Sequence, residues 1–87
     1  MSDPRIDRLR EEVARRDRAI LDAVNERIEL VAELKRHKRE HGIEFVDPEQ
    51  EERLLARLEQ ANAGRVSREG LRSLFREILD LTKRELY

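Results

Sequence analysis

The sequence contains no cysteine, and this absence excludes several classes of chemistry at once. Disulfides, thiolate nucleophiles and sulfur-ligated metal sites all require that residue. Aromatic residues make up only 3% of the chain, too few for a platform on which nucleic-acid bases stack. No stretch approaches the roughly 20 apolar residues that a membrane-spanning helix needs. We therefore expect a cytoplasmic protein that binds neither a membrane nor a nucleic acid.

The charges are dense but nearly balanced. Charged residues make up 45% of the chain, with 19 Lys and Arg against 20 Asp and Glu. Such a balance argues against nonspecific binding to nucleic acid or to a membrane surface. The 87 residues leave room for one domain, spanning positions 1–87. A chain this short buries a small share of its surface, so its core is expected to need a partner chain.

The first predicted helix is long, because nothing interrupts it for most of the first half of the chain. Asp3 provides a helix cap and Pro4 fits the first turn, while the next helix-breaking residue is Gly42. The predicted helix runs from Pro4 to about Glu40. Its apolar residues recur at helical spacing: Ile6, Leu9, Val13, Ile20, Val24, Ile28, Val31 and Leu34.

Two further helices follow the same signals. Asp47 and Pro48 begin a short second helix, with Gln50 placed for a capping-box-like arrangement and an end expected near Gly64. Ser67 caps a third helix of medium length. The predicted fold class is therefore all-α, with three helices per chain and no strand.

The length of the first helix predicts association with a second chain. An unbroken helix of this length is roughly 55 Å long, which exceeds the width of a compact domain of this size. The other two helices are too short to cover its whole apolar stripe. The stripe needs a second copy of the chain or another protein, and a symmetric homodimer is the commonest solution.

Three cations on the long helix have informative spacing. Arg27 and Lys38 are separated by only about 20° around the helix and about 16 Å along it. Their long side chains can therefore bind the same small anion. Arg10 lies about 100° away from Arg27 and about 26 Å along the axis. If Arg10 binds the same ligand, it must come from a partner chain.

Two carboxylates stand at the start of the second helix. Asp47 and Glu51 are four residues apart and share a face, where they can accept hydrogen bonds from hydroxyl groups of a ligand. The plainer alternative is that these charges form a solvated surface with weak ion pairs, and that Asp47 is only a helix cap. No single charged residue distinguishes the two interpretations, whereas the set taken together favours a site.

The combination of these residues resembles a known family. Leu9-Arg10, Asp17, Glu26-Arg27, Lys38 and Asp47-Pro48-Glu49-Gln50-Glu51, in this helical order, are similar to the all-helical chorismate mutases. The resemblance implies an intertwined homodimer that converts chorismate to prephenate in aromatic amino-acid biosynthesis. It also implies a pericyclic rearrangement that uses no metal, no cofactor and no covalent intermediate.

The resemblance also implies roles for individual residues. Arg27 and Lys38 would bind the substrate from one subunit, and Arg10 would reach in from the other. Lys38 would contact a carboxylate and the ether oxygen. Glu51 would hydrogen-bond the ring hydroxyl, with Asp47 nearby.

Three positions depart from the family pattern. Thr82 stands where a serine usually contacts a substrate carboxylate, and its hydroxyl would keep that role. Gln50 stands where many members have arginine, which removes another possible cation. Leu86 replaces a glutamine or glutamate that donates to the ether oxygen. Loss of one such donor costs on the order of 100-fold in rate in comparable sites. A register change near the terminus would bring in a substitute from among Lys83, Arg84, Glu85 and Tyr87.

Two alternatives remain open at this point. The first is an isochorismate pyruvate lyase or an amino-chorismate mutase on the same scaffold, because these substrates present similar carboxylates. The second is a helical regulatory dimer that is noncatalytic, or that is activated by the synthase that opens the shikimate pathway. His37 and His41 lie one turn apart, but no third ligand is in register, so no metal site is expected.

Overall fold

The computed structural model describes residues 3–87, which form three helices joined by two short loops. Helix α1 spans Pro4–Glu40, α2 spans Pro48–Ala61 and α3 spans Arg68–Leu86. No strand occurs between residues 3 and 87. The predicted all-α fold, with a long, a short and a medium helix, is confirmed.

Each helix begins at the predicted cap. The side chains of Asp3, Asp47 and Ser67 accept hydrogen bonds from backbone N–H groups of the first turns, at 2.8, 3.2 and 3.0 Å. These bonds satisfy donors that have no partner within the helix. The side-chain oxygen of Gln50 accepts from Arg53 at 3.0 Å rather than from the cap. The capping box at α2 is therefore formed from one side only.

Helices α1 and α2 are terminated by different residues, a glycine after α1 and an asparagine after α2. Helix α1 ends at Glu40, as predicted, and Gly42 follows it with a φ of 67°, in the left-handed region that favours glycine. Helix α2 ends at Ala61, short of Gly64, because Asn62 stops it with its side chain. The Asn62 amide donates to the backbone oxygen of Val66 at 2.7 Å, and its oxygen accepts from the Gly64 N–H at 3.1 Å.

The packed part of the molecule lies around α3. Helix α3 contacts both α2 and the C-terminal half of α1. Leu55, Leu71 and Thr82 are the buried side chains among the described residues, and α1 contributes none. The half-buried residues in the C-terminal half of α1 recur at helical spacing: Val24, Arg27, Ile28, Val31, Ala32, Lys35 and Lys38.

The N-terminal half of α1 extends away from this packed part. The chain measures 61 × 24 × 18 Å, and its radius of gyration is 17.0 Å, against about 12 Å for a compact domain of this length. Val13 and Ile20 are each 60% exposed on this segment. None of the three helices is long and apolar enough to cross a membrane, taking residues 3–87 together.

Ion pairs join α2 to α3. Glu59 pairs with both Arg72 and Arg68, and Arg72 also binds Glu52 at 2.8 Å. The pKa of the Glu59 carboxyl lies below its usual value, chiefly because the carboxylate accepts a hydrogen bond from Arg72. The same network raises the pKa of Arg72, chiefly through its hydrogen bond to Glu52.

Candidate active site

A cavity of about 210 Å³ lies where the C-terminal half of α1, α2 and α3 meet. The loop between α1 and α2 closes one side of it. Its lining combines charged side chains with apolar walls, as is usual for a site that binds a small molecule. The lining residues are Arg27, Val31, Leu34, Lys38, Phe45, Val46, Asp47, Gln50, Glu51, Leu54, Leu79, Thr82 and Lys83.

Arg27 is held in the cavity by Thr82. The guanidinium Nη1 donates to the Thr82 hydroxyl oxygen at 3.0 Å, and that hydroxyl donates in turn to the backbone oxygen of Ile78 at 2.7 Å. Thr82 is only 4% exposed. Because its single proton is already used, the hydroxyl acts here as an acceptor that fixes the direction of Arg27.

Lys38 reaches the cavity from the last turn of α1. Its Nζ donates to the backbone oxygen of Phe45 at 3.2 Å, which connects the helix to the loop that closes the cavity. An ammonium group has three donors, so two remain for a ligand. Arg27 and Lys38 therefore face one cavity from the same helix, in the arrangement that their spacing predicted.

Two carboxylates, from the start of α2, line the same cavity. Asp47 caps α2, and Glu51 follows one turn later. The Glu51 Oε1 pairs with the Lys83 Nζ at 2.8 Å, and the two side chains are 30% and 32% exposed. Lys83 was not among the site residues assigned from the sequence. The signal that could have found it is its place four residues after Leu79, which puts both residues on one face of α3.

The electrostatic balance of the cavity favours an anion. Three cations and two carboxylates line it, which leaves a net charge of +1 within one chain. Apolar side chains form the remaining walls and lower the local dielectric, so the charges act more strongly than in open water. Such a cavity fits a small molecule that carries carboxylates and a hydroxyl group on an apolar frame.

Gln50 lines the cavity, whereas Arg10 and Leu86 do not. Arg10 lies on the exposed N-terminal part of α1, about 26 Å along the axis from Arg27. Leu86 is half-buried at the end of α3, and its backbone oxygen accepts a hydrogen bond from Lys35.

The end of α3 shows no register change. The helix is regular as far as Leu86. The register change that would have brought a neighbouring residue to the place of Leu86 therefore does not occur. Arg84 and Glu85 are exposed, and the Tyr87 ring lies 4.3 Å from the Lys35 ammonium. Lys83 reaches the cavity without any shift, because it lies about one helical turn after Leu79, which also lines the cavity.

The two histidines lie apart from this cavity. The rings of His37 and His41 are 4.2 Å apart, and both residues are exposed near the end of α1. No group of three or more His, Cys, Asp or Glu side chains in the described part of the chain is arranged to hold a metal ion.

Comparisons with known proteins agree on one family. The sequence model described as chorismate mutase type II matches residues 9–86. A solved structure of chorismate mutase (form II) from Thermus thermophilus is 41% identical, with a TM-score of 0.87, over 92% of this chain and 91% of that chain. A second structure (form I) from the same organism is 42% identical, with a TM-score of 0.87, over 90% and 98% of the two chains. The curated proteins give no match. The chain therefore belongs to the chorismate mutase type II family.

Proposed function

We propose that this chain converts chorismate to prephenate in the cavity between α1, α2 and α3. The observation that carries the proposal is the convergence of Arg27 and Lys38 from α1 on one cavity that Glu51 also lines from α2. Chorismate is a dicarboxylate with a ring hydroxyl, so it matches this distribution of charge. Membership of the chorismate mutase type II family supports the same reaction.

The reaction is an intramolecular pericyclic rearrangement, in which one C–O bond breaks as one C–C bond forms. It needs no nucleophile and no proton transfer. What the protein supplies is a cavity that holds the flexible diacid in its compact reactive conformer. It also supplies fixed positive charge beside the ether oxygen, which becomes electron-rich as the C–O bond breaks.

Four of the five charged residues that line the cavity have a role in this proposal. Arg27, fixed by Thr82, binds one substrate carboxylate through its planar fork. Lys38 contacts a carboxylate and the ether oxygen. Glu51 accepts a hydrogen bond from the ring hydroxyl, and Asp47 lies beside it.

The proposal includes a homodimer in which each site takes Arg10 from the second copy. The apolar side chains exposed on the N-terminal half of α1 support this, because a second α1 would cover them. Arg10 lies on that same segment. In this arrangement residues 1–87 act as one domain, and we propose the cytoplasm as its location, which cell fractionation would test.

A partner-activated form of the same enzyme is the second candidate. Leu86 brings no polar atom to the cavity, so one donor to the ether oxygen is missing from the isolated chain. In that case association with a synthase of the shikimate pathway would raise turnover. Addition of such a synthase to the purified dimer tests this directly.

The test of the proposed function is the loss of chorismate absorbance with purified protein, followed by identification of the product. We expect prephenate, and we expect Lys38→Ala to abolish most of its formation. Arg39→Ala is the matched control, because it removes an exposed cation from the next position outside the cavity. Release of pyruvate would identify a lyase instead, and no turnover with or without a synthase would contradict the proposal.

A further inference from the structure

We propose that Lys83 is a positioning residue of this site, which holds the Glu51 carboxylate at the cavity wall and balances its charge when a dianionic substrate binds. This inference rests on the proposed function, because it concerns the same cavity and substrate class. It assigns a role to a cation that neither the helical spacing of the cations on α1 nor the resemblance had placed in the site.

The geometry places the two side chains in one pair at the cavity. The Lys83 Nζ lies 2.8 Å from the Glu51 Oε1, a distance typical of a charge-assisted hydrogen bond. Both side chains line the cavity, one from α2 and the other from α3. The pair uses one carboxylate oxygen, so the other oxygen of Glu51 is free to accept a hydrogen bond from a ligand hydroxyl.

The pair with Lys83 offsets the repulsion between the Glu51 carboxylate and a bound dianion. A carboxylate beside a dianion is repelled, and the repulsion grows in a cavity where apolar walls lower the dielectric. With Lys83 present, Glu51 belongs to a neutral pair. Without Lys83, the cavity would hold two cations and two carboxylates. The Glu51 carboxylate would then have no cation paired with it at the place where the ring hydroxyl must bind.

The same geometry separates a positioning role from direct contact with the substrate. The Lys83 ammonium is already bound to Glu51, whereas Arg27 and Lys38 direct guanidinium and ammonium groups to neutral oxygen acceptors and keep their full charge for a ligand. Lys83 therefore acts through Glu51. Its effect on substrate affinity should disappear once Glu51 carries no charge.

A double-mutant cycle on Lys83 and Glu51 tests this. We would measure the Kd of prephenate by titration calorimetry, and kcat and KM for chorismate, in wild type, Lys83→Gln, Glu51→Gln and the double variant. We expect Lys83→Gln to raise Kd and KM about tenfold in the wild-type background, but less than about twofold in Glu51→Gln. Lys83→Arg should restore Kd to within about threefold of wild type, because it keeps the pair.

Arg84→Gln is the matched control, since Arg84 is the exposed cation at the next position and should change Kd less than about twofold. An equal rise of Kd in both backgrounds would overturn the inference, because Lys83 would then act without Glu51. No rise in the wild-type background would also overturn it. Prephenate binding without turnover, whether or not a synthase is added, would contradict the proposed function alone, since the Kd cycle would still decide the role of Lys83. No binding to wild type would overturn both.

Discussion

The Arg27 guanidinium and the Thr82 hydroxyl form a hydrogen bond of 3.0 Å that joins the middle of α1 to the last turns of α3. The two residues are far apart in sequence, and Thr82 is one of the most buried side chains of the chain's described part. Its hydroxyl is fixed from the other side by the Ile78 carbonyl. The direction of the cavity arginine is thus set by α3.

Thr82→Val tests this relationship, because it removes the hydroxyl and keeps the shape of the side chain. We expect kcat/KM for chorismate to fall about tenfold, since Arg27 loses the acceptor that fixes it. The free energy of unfolding should fall by about 1 to 3 kcal/mol, because the buried hydroxyl loses both of its hydrogen bonds. Thr82→Ser keeps the hydroxyl and should retain most of the activity. Equal activities for the valine and serine variants would contradict the role.

The proposed dimer predicts that a charge on the exposed apolar stripe of α1 prevents association. Ile20→Glu would place a carboxylate where a second copy packs, and burial of an unpaired charge costs several kcal/mol. We expect its dimer dissociation constant, measured by analytical ultracentrifugation, to rise about 100-fold or more. Asn25→Glu adds the same charge about 140° around the helix and should leave the dimer intact. A wild-type chain that stays monomeric would contradict the dimer itself.

The ion network between α2 and α3 predicts a pH dependence of stability. Arg72 and Arg68 hold the pKa of the Glu59 carboxyl below its usual value of 4.5. A carboxyl whose pKa is lowered in the folded state stabilises that state above its unfolded pKa. This contribution is lost as the pH falls through the folded pKa.

Urea unfolding of wild type and Glu59→Gln between pH 7 and pH 3 measures this effect. We expect the wild type to be more stable at pH 7, with the difference shrinking as the pH falls below about 4.5. Glu49→Gln is the control, because the Glu49 side chain is 88% exposed and lies 3.9 Å from Arg53. A pH-independent difference for Glu59→Gln would show that packing, not charge, is what the substitution changes.

The features that were predicted correctly from the sequence are those set by local interactions. Caps at Asp3, Asp47 and Ser67 depend on contacts within a few residues, so residue type alone indicates them. The convergence of Arg27 and Lys38 follows from the rotation per residue of one uninterrupted helix. Each of these predictions required no knowledge of how the helices pack.

The features that the sequence did not indicate depend on contacts between helices. Lys83 enters the site because α3 packs against α2 beside Glu51, and helical spacing on α1 contains no information about that contact. The early end of α2 comes from the Asn62 side chain, whose partners lie in the following loop. Leu74 follows Leu71 on α3 at helical spacing, yet it is 53% exposed whereas Leu71 is buried.

The shared site makes the sharpest prediction, which is that two inactive chains restore activity when they are mixed. An Arg10→Ala chain keeps Arg27 and Lys38, and an Arg27→Ala chain keeps Arg10. If each site takes Arg10 from the second copy, their heterodimer contains one intact site. Random exchange at equal concentrations makes half of the dimers heterodimers, so we expect about a quarter of the wild-type activity.

A second mixture provides the control for this experiment. Arg27 and Lys38 lie on the same α1 helix and face the same cavity. Mixing Arg27→Ala with Lys38→Ala therefore leaves every site without one of the two cations, and no activity should return. Subunit exchange is verified by mass spectrometry of differently tagged chains. If exchange is complete and the first mixture stays inactive, or the second recovers equally, Arg10 does not complete the site of its partner.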